Sequence, residues 1–236
     1  MLKDYVVIDL EMTGLNAKTD KILEVAAVRM RNGKETECFS AIVNPQIPLS
    51  EKVINLTGIT QEDADAGQPL DQTVEAFLGF LGDDILVGQN VIFDYSFLKQ
   101  WAANHKISLE KNAVDTLKLA RLFLPKEQKK DLESLCSYFG ISRVNAHRAL
   151  DDARETAEIF EKLKSEYGEI HAEAFVPKPL LYKAKKQSPA TERQKQYLKK
   201  FAQYHGIELE EFSPVMTKGE ASRLTDKLIA QYGKME

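Results

Sequence analysis

The run Asp4-Tyr-Val-Val-Ile-Asp-Leu10 constrains this chain more than any other segment. β-Branched and aromatic residues in an apolar run of this length read as a central strand. The run ends in acids, Asp9 and Glu11, and then in the turn signal Thr13-Gly14. Residues 22–30 and 36–43 read as two more strands around Asn32-Gly33, a dipeptide that favours the two-residue hairpin turn. Pro45 and Pro48 close the third strand, and a short helix is expected over 49–57, then a turn whose Thr60 can cap the next segment. Val74, Phe77, Leu78 and Leu81 share one face of a helix over 70–81. A short buried strand over 84–88 then leads into a helix through Phe93, Phe97, Leu98 and Trp101. Amphipathic pieces follow over 114–124 and 132–139, and a long helix runs from about Ala146 to Tyr167. A hairpin followed by alternating strands and helices predicts an α/β fold, a mixed sheet flanked by helices.

At 236 residues, 43% apolar and 29% charged, the chain reads as a soluble globular protein of one large domain with room for a small appendage. No apolar run approaches the roughly 18 residues of a membrane span. The start lacks a basic segment followed by an apolar one, so a cytoplasmic protein with no membrane partner is expected. Cys38 and Cys136 are too few for a disulfide scaffold and are expected as reduced thiols, Cys136 in the core. The net charge of −4 hides a split: residues 1–176 carry 20 basic and 29 acidic side chains, residues 177–236 carry 12 and 7. The body is thus −9 and the tail +5. We divide the chain into a body over 1–170, a basic proline-containing linker over 171–190, and a small helical module over 191–236. Thr191 with Gln194, and Thr217 with Glu220, form capping boxes for two helices. Lys178, Lys183, Lys185, Lys186, Arg193, Lys195, Lys199 and Lys200 are interleaved with Tyr182, Tyr197 and Phe201. Basic and aromatic residues in alternation suit backbone tracking and base stacking on nucleic acid; a solvated linker with helices packed on the body is the plainer reading.

Three fragments carry chemistry. Asp9 and Glu11, two apart on a strand, point to one side. Acids so placed are costly without a positive partner, and a divalent cation with oxygen ligands, Mg²⁺ or Mn²⁺, is the simplest one. The second fragment, Val87-Gly-Gln-Asn-Val-Ile-Phe-Asp94, sets Asp94 at a strand-to-helix junction with Asn90 available as a cap. An acid in a first helical turn is also favoured by the helix dipole alone. The third is His147-Arg-Ala-Leu-Asp-Asp152, where histidine and acid share a site only if His147 lies just before the helix.

The order Asp-x-Glu, Asn-x-x-Phe-Asp, His-x4-Asp resembles the DEDDh family of 3′–5′ exonucleases in the RNase H-like superfamily. Within it, the proofreading (epsilon) subunit and domain of bacterial replicative polymerases is the nearest likeness. The resemblance spans about residues 1–168 and takes in Val53–Thr60, Ile85–Gly88 and Val114–Arg121. It implies that Asp9, Glu11, Asp94 and Asp152 hold two divalent cations, with Asp9 bridging both and Asp94 acting partly through water. It also implies that His147 is the general base. Asp151, four residues after His147, is a second-sphere or surface acid on this reading. Met12, Thr13, Leu15, Asn90 and Phe93 would line the substrate site, Thr13 near the terminal 3′ hydroxyl. Leu15 is either the residue that wedges against the terminal bases or a leucine packed in its own turn. Gln89 stands where the family often has histidine, and Met12 where it often has threonine. Neither position supplies a ligand, so any consequence falls on nucleotide preference.

A phosphodiester resists hydrolysis because its anionic oxygens repel the nucleophile. Two cations about 4 Å apart offset that charge, and a histidine that titrates near neutrality can take the water's proton. The implied activity releases nucleoside 5′-monophosphates from a 3′ end, most simply of single-stranded DNA in proofreading or repair. An exoribonuclease in RNA maturation or decay is the alternative. A non-catalytic module serving a polymerase or repair partner is a third reading.

Overall fold

Alternate residues of the first strand, β1 (Asp4–Met12), enter two different cores. Val6, Ile8 and Leu10 pack on one side of the sheet, and Tyr5 and Val7 on the other. A strand covered on both faces is apolar throughout, as the opening run is. The computed structural model describes residues 2–143, 147–207 and 216–235. β1 pairs antiparallel with β2 (Ile22–Arg31), which pairs antiparallel with β3 (Lys34–Ile42). Asn32 and Gly33 form the hairpin turn with φ of 51° and 76°, the left-handed conformation that a tight hairpin needs.

Helices α1 (Glu51–Thr57), α2 (Gln61–Asp65) and α3 (Leu70–Leu81) then lead to β4 (Leu86–Gly88), parallel to β1. Helix α4 (Ile92–His105) is followed by β5 (Asn112–Asp115) and α5 (Thr116–Phe123). Here the structure corrects the sequence reading, which ran one amphipathic piece over 114–124. Four residues are too few to show a period, and the change of element is made by Asp115, whose side chain caps the N–H groups of Leu117 and Lys118. Helices α6 (Leu132–Phe139) and α7 (Ala149–Tyr167) complete the body. Ala146, expected as the start of the last helix, lies outside the described residues.

The sheet order is β3-β2-β1-β4-β5-β6, where β6 (Lys178–Pro179) is a short antiparallel edge. α3 and α4 cover one face, with Phe77, Leu81, Tyr95, Leu98 and Trp101 buried there. α5, α6 and α7 cover the other, with Leu119, Leu135, Cys136, Ala153, Phe160 and Leu163. The Tyr5 and Phe160 rings meet edge to face at 4.9 Å.

The segment expected to link body and tail is pinned to the body along much of its length, as far as Gln187, whose N–H donates to Asn104 Oδ1 at 2.8 Å. Phe175 and Leu180 are buried in the two cores, and β6 lies between them. Both capping boxes form, at the starts of α8 (Glu192–His205) and α9 (Lys218–Tyr232). Leu198, Phe201, Ala221 and Leu228 close a small core of their own. This pair of helices sits beside the loop that follows β1: Lys21 Nζ lies 3.1 Å from Glu220 Oε1, and Gln187 Nε2 donates to the Lys18 carbonyl at 2.6 Å. Among the described residues no helix is long and apolar enough to cross a membrane.

Candidate active site

The period of two that sends Tyr5 and Val7 toward α7 sends Asp9 and Glu11 the same way. β1 and β4 are parallel, so the loops after both open at one end of the sheet. There Gly88 lets two backbones approach: a Cβ at this position would lie 3.2 Å from the Ile8 carbonyl oxygen and 3.0 Å from the Val91 side chain. The chain then turns through Asn90 into α4, and Asp94 in its first turn is buried. Asp94 Oδ1 accepts the Leu10 N–H at 3.0 Å, which ties the helix start to the end of β1.

α7 brings the third fragment. Glu11, His147 and Asp152 each offer a donor atom within 4.8 Å of the others. Asp9 and Asp94 are not members of that group, yet the two carboxyls act on one another and on the same cluster. The choice between neighbouring acids is geometric. Asp152 is buried, 2.7 Å from Arg143, and faces Glu11. Asp151 points along the helix, with Arg154 at 3.9 Å. One residue along a helix is a rotation of about 100°, enough to exchange the interior for the surface.

The acids are held far from their ordinary titration. Burial raises Asp9 well above the carboxylate range, reinforced by Asp94, Glu11, Asp152 and Glu24. Burial, then Asp152, Glu24 and Asp94, push Glu11 up to about 8, while Arg148 opposes them. Asp94 rises to about 7 through burial, against the Leu10 N–H that favours its charged form. Burial also raises Asp152, opposed by Arg143 and by His147, whose backbone N–H it accepts. So many carboxylates cannot ionise together without added positive charge. Their oxygens are hard donors at one sheet end, and the set fits divalent cations.

The residues expected around a substrate divide. Thr13 bonds across its loop, its Oγ1 accepting the Lys21 N–H at 2.9 Å. Leu15 is 84% exposed, which removes the reading of a leucine packed in its own turn. Met12 and Phe93 are half-buried at the rim of the core, and Phe93 meets Phe97 edge to face at 5.6 Å. Asn90 does not cap α4. Its backbone is left-handed at φ 60°, its N–H donates to Asp115 Oδ1 at 3.1 Å, and the helix starts without a side-chain cap. Gln89 bridges Thr116 at 2.5 Å and the Lys130 carbonyl at 2.7 Å, an internal brace.

Sequence reasoning passed over Glu24, Arg143, Arg148 and Glu155. Glu24 lies opposite Glu11 in the β1–β2 register and is 1% exposed. Arg148 meets it at 3.0 Å. An unpaired charge so deep costs several kcal/mol, so an acid inside the apolar run Ile-Leu-Glu-Val-Ala-Ala-Val was the available signal.

With this geometry in hand, residues 6–160 match the exonuclease family RNase_T. The chain belongs to that family. The enzyme class is 3′–5′ exonuclease, and Asp9, Glu11, Asp94, His147 and Asp152, the residues expected to carry it, all lie within the matched span. The PolC-type DNA polymerase III of Clostridium perfringens is 38% identical over 172 residues, which is 71% of this chain and 12% of the polymerase. The chain therefore spans about an eighth of such relatives. Among solved structures, Exonuclease X in complex with 5′ overhanging duplex DNA superimposes with a TM-score of 0.57 at 25% identity, covering 70% of this chain and 93% of that one. The nuclease domain of 3′hExo, a DEDDh family member bound to rAMP, gives 0.62 at 21% identity over 75% and 96%, a likeness of fold.

Proposed function

We propose that the chain hydrolyses DNA from a single-stranded or frayed 3′ end, releasing nucleoside 5′-monophosphates one at a time. Proofreading or repair is its setting, with a polymerase or other replication or repair protein as partner, in the cytoplasm, where its two free cysteines stay reduced. The observation that carries this reading is the carboxylate cluster at the end of β1, with His147 at its exposed rim. Asp9, Glu11, Asp94 and Asp152 would hold two Mg²⁺ or Mn²⁺ ions. When bound, these supply a nucleophilic water and offset charge on the phosphate and the leaving oxygen. His147 accepts the attacking water's proton as the oxygen adds to phosphorus. The P–O3′ bond breaks, and the 3′ oxygen of the shortened strand is protonated from solvent. Thr13 and Leu15 meet the terminal nucleotide, Leu15 as a wedge against its base, and Asn90 and Phe93 line the opposite wall.

Leu15→Ala tests the wedge. Because the side chain is 84% exposed, its removal should leave Tm unchanged while raising KM for oligonucleotides. A fall in Tm with unchanged KM would make it a structural residue. The wider reading is tested by digesting labelled single- and double-stranded DNA and RNA with Mg²⁺ or Mn²⁺ and sorting the products by polarity and size. Faster release from RNA would favour the exoribonuclease. No release from any strand would favour a non-catalytic partner module.

The position of α8 and α9 beside the loop after β1 supports a track for the strand upstream of its 3′ end. Arg193, Lys195, Lys199 and Lys200 lie on α8. Ending the chain at Ser188 spares the buried Phe175 and Leu180. We expect this truncation to keep turnover of a saturating short substrate, to weaken binding and to flatten its salt dependence. Unchanged affinity and salt slope would return the tail to a packing role.

A further inference from the structure

The turn that carries His147 is flanked by two arginines, each anchored on a buried carboxylate. After it, Arg148 grips Glu24 with both arms of its guanidinium, Nη2 to Oε1 at 3.0 Å and Nε to Oε2 at 3.3 Å. Glu24 Oε2 also accepts the Ala149 N–H at 3.1 Å, so one carboxylate on β2 holds the start of α7 from 125 residues away. Before it, Arg143 donates from Nε to Glu155 at 2.8 Å and from Nη2 to Asp152 at 2.7 Å. Neither glutamate belongs to the proposed metal set, and Glu155 is 4% exposed.

Between these anchors His147 has φ 61°, in the left-handed region that few non-glycine residues occupy unless the surroundings impose it. Only the carboxylate of this pair is buried: the Arg148 side chain is 43% exposed, and an ion pair with one partner open to solvent adds little stability of its own. A planar guanidinium gripped by both arms adds direction. Here that direction is set one residue from His147 and directly across the strand pair from Glu11.

We propose that Glu24 and Arg148 are positioning residues of the nuclease. Their paired contact holds the left-handed His147 turn and the first turn of α7 against Glu11, so that the imidazole faces the attacking water. The inference rests on the exonuclease reading given above.

A double-mutant cycle tests it in the full chain, with kcat and KM measured on a labelled single-stranded oligonucleotide in Mg²⁺. Arg148→Ala and Glu24→Gln should each lower kcat by about 10- to 100-fold, the usual cost of losing an outer-shell partner, with KM unchanged. The decisive variant combines Arg148→Ala with His147→Ala: it should be no slower than His147→Ala alone, because the arginine acts through the histidine. Arg148→Lys keeps the charge without the fork and should recover only part of kcat. If Arg148→Ala does not fold, Arg148→Lys and Glu24→Gln run through the same cycle. Arg154→Ala removes a comparable pair on the same helix, with Glu35 at 2.9 Å, and should keep the wild-type kcat. Additive losses in the double variant would overturn the proposal. So would a rise in KM alone, which would make Arg148 a phosphate contact. If the wild type were inactive on every strand, the exonuclease reading would fall, and this inference with it. Additivity in an active enzyme sinks only the role of the pair.

Discussion

Replacing Asp9 with asparagine is expected to stop mononucleotide release while leaving the chain folded and, without metal, more stable above neutral pH. In the proposed mechanism Asp9 would be one of the acids that hold the cations, so its loss would remove charge stabilisation worth several kcal/mol. At about 1.4 kcal/mol per decade this is a fall of about 10³-fold or more in kcat. The gain in stability has a separate cause. Asp9 is buried among Asp94, Glu11, Asp152 and Glu24, all of which oppose its ionisation. The neutral amide keeps the shape and removes the repulsion. Paired measurements of kcat and Tm separate this outcome from unfolding, which would lower both. An Asp9→Asn variant that digests a 3′-labelled oligonucleotide at the wild-type rate would remove Asp9 from the chemistry.

The same repulsion sets a pH dependence whose sign is unusual for carboxylates. Glu11 rises to about 8 in the folded chain from a value of 4.5, and Asp94 to about 7 from 3.8. Over those intervals the folded state keeps protons that the unfolded state has released. The contribution of these groups is therefore fully present below the unfolded values, falls as pH rises, and is gone once pH passes the folded ones. Most acidic groups with native partners behave the other way. Metal-free protein should show Tm dropping by several degrees from about pH 5 to about pH 8. A divalent cation, which binds the ionised cluster, should restore Tm at the upper end and do little at the lower. Glu11→Gln should flatten the metal-free slope. Tm that stays level from about pH 5 to about pH 8 in chelator would contradict the raised carboxyls.

Much of this architecture was legible in the sequence because its signals are local. The hairpin at Asn32-Gly33 follows from two residues that tolerate positive φ, and both C-terminal capping boxes from Thr191 and Thr217. The apolar opening run announced a central strand, and β1 lies between β2 and β4. β5 and β6 were not legible, since four residues and two have no period to read. Much of the expected linker turned out to be bound to the body, because single apolar residues such as Phe175 and Leu180 reveal burial only when a core is present to receive them.

For the site, the sequence by itself determined the order and chemistry of the acids and, with them, the family. Side-chain type and strand period are properties of adjacent residues. Tertiary structure decided which side chains meet. It turned Asp152 toward Glu11 and His147 and Asp151 toward Arg154, and it set Asn90 to hold a turn in place of a helix cap. It also paired Glu24 with Arg148 across 124 residues. That last contact has no local signature, because a buried charge is tolerated only where a distant partner arrives to neutralise it.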